Sequence, residues 1–213
     1  QIPEKYADLY KKWISEMAFL SVREQAGADI IKNLSGREAQ VHIDPTLMLT
    51  KDQWLNILQP AKRKPVQKYL LTYFIGSVSS KRKKWLKEFA IKNNLEIVQM
   101  ASLDDIDRYD ANPGEFIDYI NSAEIVCTDS FHAVIFSMQM EKPFVVFDRE
   151  GRSAPMSSRI YTLLSKFKFE NRKFSIISNK GNLFDINYSH VPEILETERK
   201  KISDYLKIAL TAS

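Results

Sequence analysis

The residues best suited to chemistry form one run, Cys127-Thr128-Asp129-Ser130-Phe131-His132-Ala133. There an apolar stretch gives way to small polar side chains and then to a helical pattern. His132 would fall in the first turn of that helix, beside backbone N–H groups that lack an intrahelical partner. Those donors and the helix dipole attract an anion. The same field favours a neutral imidazole able to accept a proton, as a general base must. A structural alternative asks for less: Asp129 or Ser130 caps the helix and His132 packs against a loop. Arg23 and Arg159 each stand where a helical pattern opens, and guanidinium groups suit planar anions such as carboxylate and phosphate. Their bland alternatives are an ion pair of Arg23 with Glu24 or Asp29, and an Arg159 that braces a loop behind a Ser157 or Ser158 cap. Gly76-Ser77-Val78-Ser79-Ser80 is a candidate phosphate loop through Gly76, Ser77 and Ser79, or else a plain turn with a helix cap. Asp44-Pro45 reads as a strand terminator, and Cys127 as an inert buried thiol. His42 and His190 read as structural or solvated.

Elements that bring such residues together are visible along the chain. Pro3 to Glu16 predicts an amphipathic helix with Tyr6, Leu9, Tyr10 and Trp13 at helical spacing. A strand over 18–22, a helix over 23–34 ended by Ser35-Gly36, and a strand over 40–43 follow. Thr50 and Gln53 form a capping box for a helix through Leu58. From Tyr69 onward the rhythm is regular. Strands are expected over 69–75, 95–100, 123–127 and 143–147, and helices over 81–93, 113–121 and 131–140. A helix over 158–167 and a closing helix over 193–210 complete the series. Strand and helix alternating on short links specify a parallel sheet with right-handed crossover helices. Ligands of such sheets gather where the strands end at their carboxyl side, which is where the candidate residues lie.

Composition sets the outer bounds. The chain has 213 residues, 44% of them hydrophobic and 27% charged, enough apolar material for a folded core. One cysteine excludes an internal disulfide framework and a multi-cysteine zinc site. No apolar run approaches the length of a membrane span. The net charge is +4, with cations concentrated at Lys62-Arg63-Lys64 and Lys81-Arg82-Lys83-Lys84. Recognisable nucleic-acid modules are absent, which argues against a nucleic-acid partner.

The run TDSFHAVIFSMQMEKPFVVFDR resembles the C-terminal motif of the polysaccharide pyruvyl transferase family. LSVREQAGADIIKNLSGREAQVHIDPTLML resembles that family's central segment, and SSRIYTLLSKF a later one, all in family order. The resemblance implies an α/β fold, a Rossmann-like parallel sheet flanked by helices, like the C-terminal domain of a GT-B-like two-domain enzyme. Residues 1–60 would enter that domain and residues 61–213 would form it, with the family's N-terminal domain absent. It implies transfer of a pyruvyl group from phosphoenolpyruvate to hydroxyls of a saccharide acceptor, free or lipid-linked, without metal or cofactor. The setting would be the cytoplasm or the inner membrane face. His132 takes the place of the family's motif histidine and would be the acid–base residue. Arg23, Arg159, Ser130 and Ser158 would hold the donor, although Ser130 replaces an arginine found in some members. Asp148, Arg149 and Arg152, around Gly151, would form a loop reaching the acceptor. Two other readings stay open: a nucleotide-sugar glycosyltransferase in which Glu150 holds ribose, and a binding module of the same fold without turnover.

Overall fold

The computed structural model describes residues 2–102, 106–150, 157–177 and 182–211. Its centre is a four-stranded parallel sheet in the order β4-β3-β5-β6. The strands are β3 (Tyr69–Tyr73), β4 (Glu96–Met100), β5 (Ile125–Thr128) and β6 (Phe144–Val146). A smaller parallel pair, β1 (Ser21–Val22) and β2 (Gln40–Val41), precedes it, with Val22 opposite Val41. Leu71 lies opposite Val98 on one side and Val126 on the other, and Cys127 lies opposite Val145. The chain thus runs from β3 out to the β4 edge, then back across to β5 and on to β6. The reversal makes the carboxyl ends of β3 and β5 the switch point, where ligand crevices form.

Burial on both faces explains the apolar runs of β3, β5 and β6. Successive side chains point to opposite faces. Tyr69 and Leu71 join a core with α6 (Pro113–Ser122), α7 (Phe131–Gln139), α8 (Ser157–Lys166) and α10 (Val191–Thr211). Leu70, Ile125, Cys127 and Val145 join the opposite core, under Leu86 and Ala90 of α4 (Ser80–Lys92). Local signals hold where they are self-contained. Asn112 and Glu115 close a reciprocal capping box at α6, and Thr50 with Gln53 does the same at α3 (Lys51–Leu55). Gly36 ends α2 (Gln25–Ser35) at φ +73°, a conformation glycine adopts without steric cost.

Several expectations are revised. β1 and β2 are shorter than predicted, because the chain turns away after His42 and Asp44 caps a 3-10 turn over Pro45–Leu47. The first helix starts as a 3-10 turn (Glu4–Tyr6) before α1 (Ala7–Glu16). Of α1 only Ile14 is buried, while Tyr6, Leu9, Tyr10 and Trp13 remain exposed. Arg37 fixes its end by donating to the carbonyls of Ile14, Ser15, Met17 and Ala18. Ser157 and Ser158 lie within α8 rather than before it, and its cap falls outside the described residues. Three short helical pieces lack a periodic signal: α5 (Ile106–Tyr109), a 3-10 turn at Glu170–Arg172, and α9 (Phe174–Ile177). Arg172 organises the last two. Its buried guanidinium donates to the carbonyls of Phe144, Leu183 and Asp185, which satisfies a charge that would otherwise be costly to bury.

Candidate functional site

Arg23 follows β1 directly, Asp44 follows β2, and His132 opens α7 after β5. The fold brings these three strand ends together. Arg23 Nη1 pairs with Asp44 Oδ2, and His132 Nε2 stands 4.0 Å from the same oxygen. The Asp44 side chain is only 2% exposed, whereas Arg23 and His132 are 44% and 49% exposed. The carboxylate therefore forms the floor, and two nitrogen-bearing groups stand over it toward solvent. Asp44 Oδ1 accepts from the Thr46 N–H at 3.0 Å and its hydroxyl at 2.7 Å. Burial alone would push the Asp44 carboxyl up, but Thr46 and the Arg23 guanidinium outweigh it and hold it below the ordinary carboxylate range. Asp44 is thus an anion at neutral pH. The separation of 4.0 Å exceeds hydrogen-bond reach, though catalytic contacts often tighten when ligand binds.

The start of α7 adds donors. Thr128 Oγ1 accepts from the Ser130 N–H, and Ser130 Oγ accepts from the Ala133 N–H at 3.5 Å. Among the described residues, the N–H groups of Phe131 and His132 have no acceptor. Ser130 is buried and serves as the cap, so its side chain turns into the helix rather than toward the open side. Arg159 stacks over the Phe131 ring at 5.3 Å. Ser158 Oγ donates to Glu24 Oε2 at 2.5 Å, tying α8 to the residue after Arg23. The partner of Arg23 is Asp44, neither Glu24 nor Asp29.

The Gly76 loop lies at the other half of the switch point and is differently filled. Asp129, itself buried, accepts the Ile75 N–H at 2.7 Å and the Gly76 N–H at 2.9 Å. Glu150 accepts the Ser79 N–H at 2.8 Å and the Ser79 hydroxyl at 3.2 Å, and pairs with Arg82 Nε at 3.0 Å. Ser77 and Glu150 form an antiparallel bridge. Arg149 Nε lies 3.5 Å from Asp129 Oδ2 without hydrogen-bond alignment, and its Nη2 donates to the Asp129 carbonyl at 3.2 Å. A Cβ on Gly76 would come within 2.6 Å of Arg149 Cγ and 2.7 Å of the Glu150 carbonyl, so only glycine fits. Gly76, Ser77 and Ser79 are therefore tied to the chain's own acidic side chains and backbone, apart from the Arg23–His132 cluster. Arg152 and Gly151 lie outside the described residues.

The remaining candidates are structural. His42 is buried with neither ring nitrogen hydrogen-bonded, its ring 4.9 Å from that of Tyr205. His190 Nε2 meets the Phe167 carbonyl at 2.7 Å. Burial pushes the Cys127 thiol far above its ordinary value. Asp44, which the sequence marks as a strand terminator, is in the structure the residue on which Arg23 and His132 converge. The available signal was positional: an aspartate just past one strand of a parallel pair whose other strand ends on arginine.

The family model for polysaccharide pyruvyl transferase matches residues 1–151, which include β1 through β6 and the Arg23, Asp44 and His132 positions. A comparison with curated proteins gives no match.

Proposed function

We propose a specific role for this chain within the polysaccharide pyruvyl transferase family, to which it belongs: it binds phosphoenolpyruvate at the Arg23–Asp44–His132 cluster and transfers its pyruvyl group to a saccharide. The observation that carries this reading is the convergence of Arg23 and His132 on one oxygen of Asp44, beside two N–H groups of α7 without acceptors among the described residues. Arg23 and the α7 N-terminus supply the cationic surface that a donor with carboxylate and phosphate groups requires. Arg159 and Ser158, on α8, border that surface through Phe131 and Glu24.

In the proposed reaction the His132 imidazole accepts a proton from a sugar hydroxyl through Nδ1, the ring nitrogen opposite the Nε2 that faces Asp44. The hydroxyl oxygen forms a bond to C2 of the donor as its double bond opens, and a proton is returned to the methylene carbon. A second hydroxyl then displaces phosphate from C2, its proton leaving with the phosphate, which closes a ketal and releases hydrogen phosphate. Asp44 stabilises the imidazolium formed in the first step and fixes the ring from below. A second domain over the exposed side of the cluster would contribute acceptor contacts and exclude water. The glycosyltransferase alternative asks Glu150 to hold ribose. That carboxylate is already held by Ser79 and Arg82, which favours the pyruvyl reading.

Calorimetric titration of the chain with phosphoenolpyruvate, UDP and a UDP-sugar tests this. Saturable phosphoenolpyruvate binding is expected, with neither nucleotide bound. Nucleotide binding without phosphoenolpyruvate would overturn the assignment in favour of a glycosyltransferase.

A further inference from the structure

We propose that the outer face of α4 is a docking surface for an anionic lipid bilayer. α4 carries five lysines and one arginine against one glutamate, a net +5 in a chain whose total is +4. The rest of the chain is close to neutral, so positive potential is concentrated on one helix. Lys81, Lys83, Lys84, Lys87 and Lys92 are all exposed. The Lys84–Glu88 pair, at 3.8 Å and largely solvated, compensates little of this charge. Ile91 projects 81% exposed next to Lys92, an apolar side chain that a headgroup layer accommodates.

The chemistry of the face selects the partner. Arg82 turns inward to Glu150 and the Asp148 carbonyl, so the outward cations are lysines alone. Protein interfaces are enriched in Arg, Tyr and Trp and depleted in Lys. Single-stranded nucleic acid needs aromatic platforms. Here Trp85 and Phe89 stack on each other and are further engaged by Phe147, Phe174 and Phe184, so these rings are already occupied within the chain. Flexible, separate ammonium groups match a diffuse layer of anionic headgroups, each worth about fivefold in partition near the surface. Lys81, Lys83 and Lys84 lie at the start of α4, after the loop that follows the carboxyl end of β3. This inference rests on charge and exposure, independently of the transferase reading.

The test is co-sedimentation of the chain with phosphatidylcholine vesicles, with or without about 30% phosphatidylglycerol. Partition is expected only with the anionic lipid, and should fall at least about tenfold in ~0.5 M salt. The combined substitution Lys81→Glu, Lys84→Glu and Lys87→Glu should cause a similar or larger loss. Lys5→Glu, Lys11→Glu and Lys12→Glu, at the N-terminal helix, change the total charge equally and should alter partition less than about twofold. Should the triple α4 variant lose its circular-dichroism spectrum, Lys81→Ala and Lys84→Ala singly, each with about fivefold loss, give the same comparison. Absence of partition onto anionic vesicles overturns the proposal. So does equal loss in both triple variants, or binding of a single-stranded oligonucleotide where vesicles fail.

Discussion

Two loops at the carboxyl ends of parallel strands meet the same general description, yet one is open and the other closed. At the β1, β2 and β5 ends, Arg23 and His132 are half exposed over a buried Asp44, and two α7 N–H groups have no acceptor among the described residues. At the β3 end, Asp129 takes the N–H groups of Ile75 and Gly76, Glu150 takes that of Ser79, and Arg82 and Arg149 balance the charge. A glycine-and-serine turn between strand and helix therefore does not by itself make a phosphate loop. What matters is whether its donors are already satisfied by acidic groups of the protein, since a ligand would have to displace them.

The largest expected effect breaks the open side. His132→Ala should lower kcat about 10²–10⁴-fold, the range of a lost general acid–base group, while phosphoenolpyruvate affinity stays within a few-fold. An enzyme that keeps its rate without the imidazole would end the acid–base assignment. Arg23→Gln should weaken phosphoenolpyruvate binding by about 1.5–3 kcal/mol, as expected for a lost charge-assisted hydrogen bond. Arg23 is half exposed but Asp44 is buried, so the variant leaves that carboxylate to Thr46 alone and should also lose about 1–3 kcal/mol of stability. Unchanged affinity on titration of this variant would remove Arg23 from the donor site.

The closed side should respond in the opposite sense. Gly76→Ala places a methyl against Arg149 and the Glu150 backbone, and the latter cannot rotate away. Denaturant unfolding should report a loss of about 1–3 kcal/mol, typical of overpacking. Phosphoenolpyruvate affinity of the folded variant should be unaltered. A stable Gly76→Ala protein with weakened donor binding would reverse the contrast and move the phosphate site to β3.

How much of this contrast the sequence reveals depends on how local each cause is. β3, β5 and β6 were legible because burial on both faces writes a continuous apolar run. His132 and Arg23 were legible because each opens a helix after a strand. Asp44 was hidden because an Asp-Pro pair already explains itself as a strand terminator and N-cap, while its partners lie far away in the chain. The filling of the Gly76 loop was hidden for a similar reason: Asp129 and Glu150 arrive from two other loops. α1 shows the converse. Its spacing predicts a helix correctly, but spacing does not say whether anything covers the apolar face.

The smallest expected effect concerns the scaffold beneath the open side. The His42 N–H bonds the Val22 carbonyl, one residue before Arg23, and the side chain stands two residues before Asp44. Burial lowers the affinity of its ring for a proton, Glu198 opposes that, and Lys166 and Lys201 reinforce it. The unfolded chain then takes up a proton near pH 6.5 and the folded chain does not. Stability should be full above that pH and decline as pH falls from there toward the lower folded value. Asp44, held below 3.8 in the fold, loses its contribution only at more acid pH, so the two windows separate. His42→Phe removes the titrating ring while keeping an aromatic contact to Tyr205. Unfolding measured at pH 7.5 and 5.5 should show less acid loss of stability in the variant than in the parent, by at most about 1.4 kcal/mol. An identical pH slope in both proteins would exclude His42 as the source of the acid response between these two pH values, a window in which Asp44 keeps its charge.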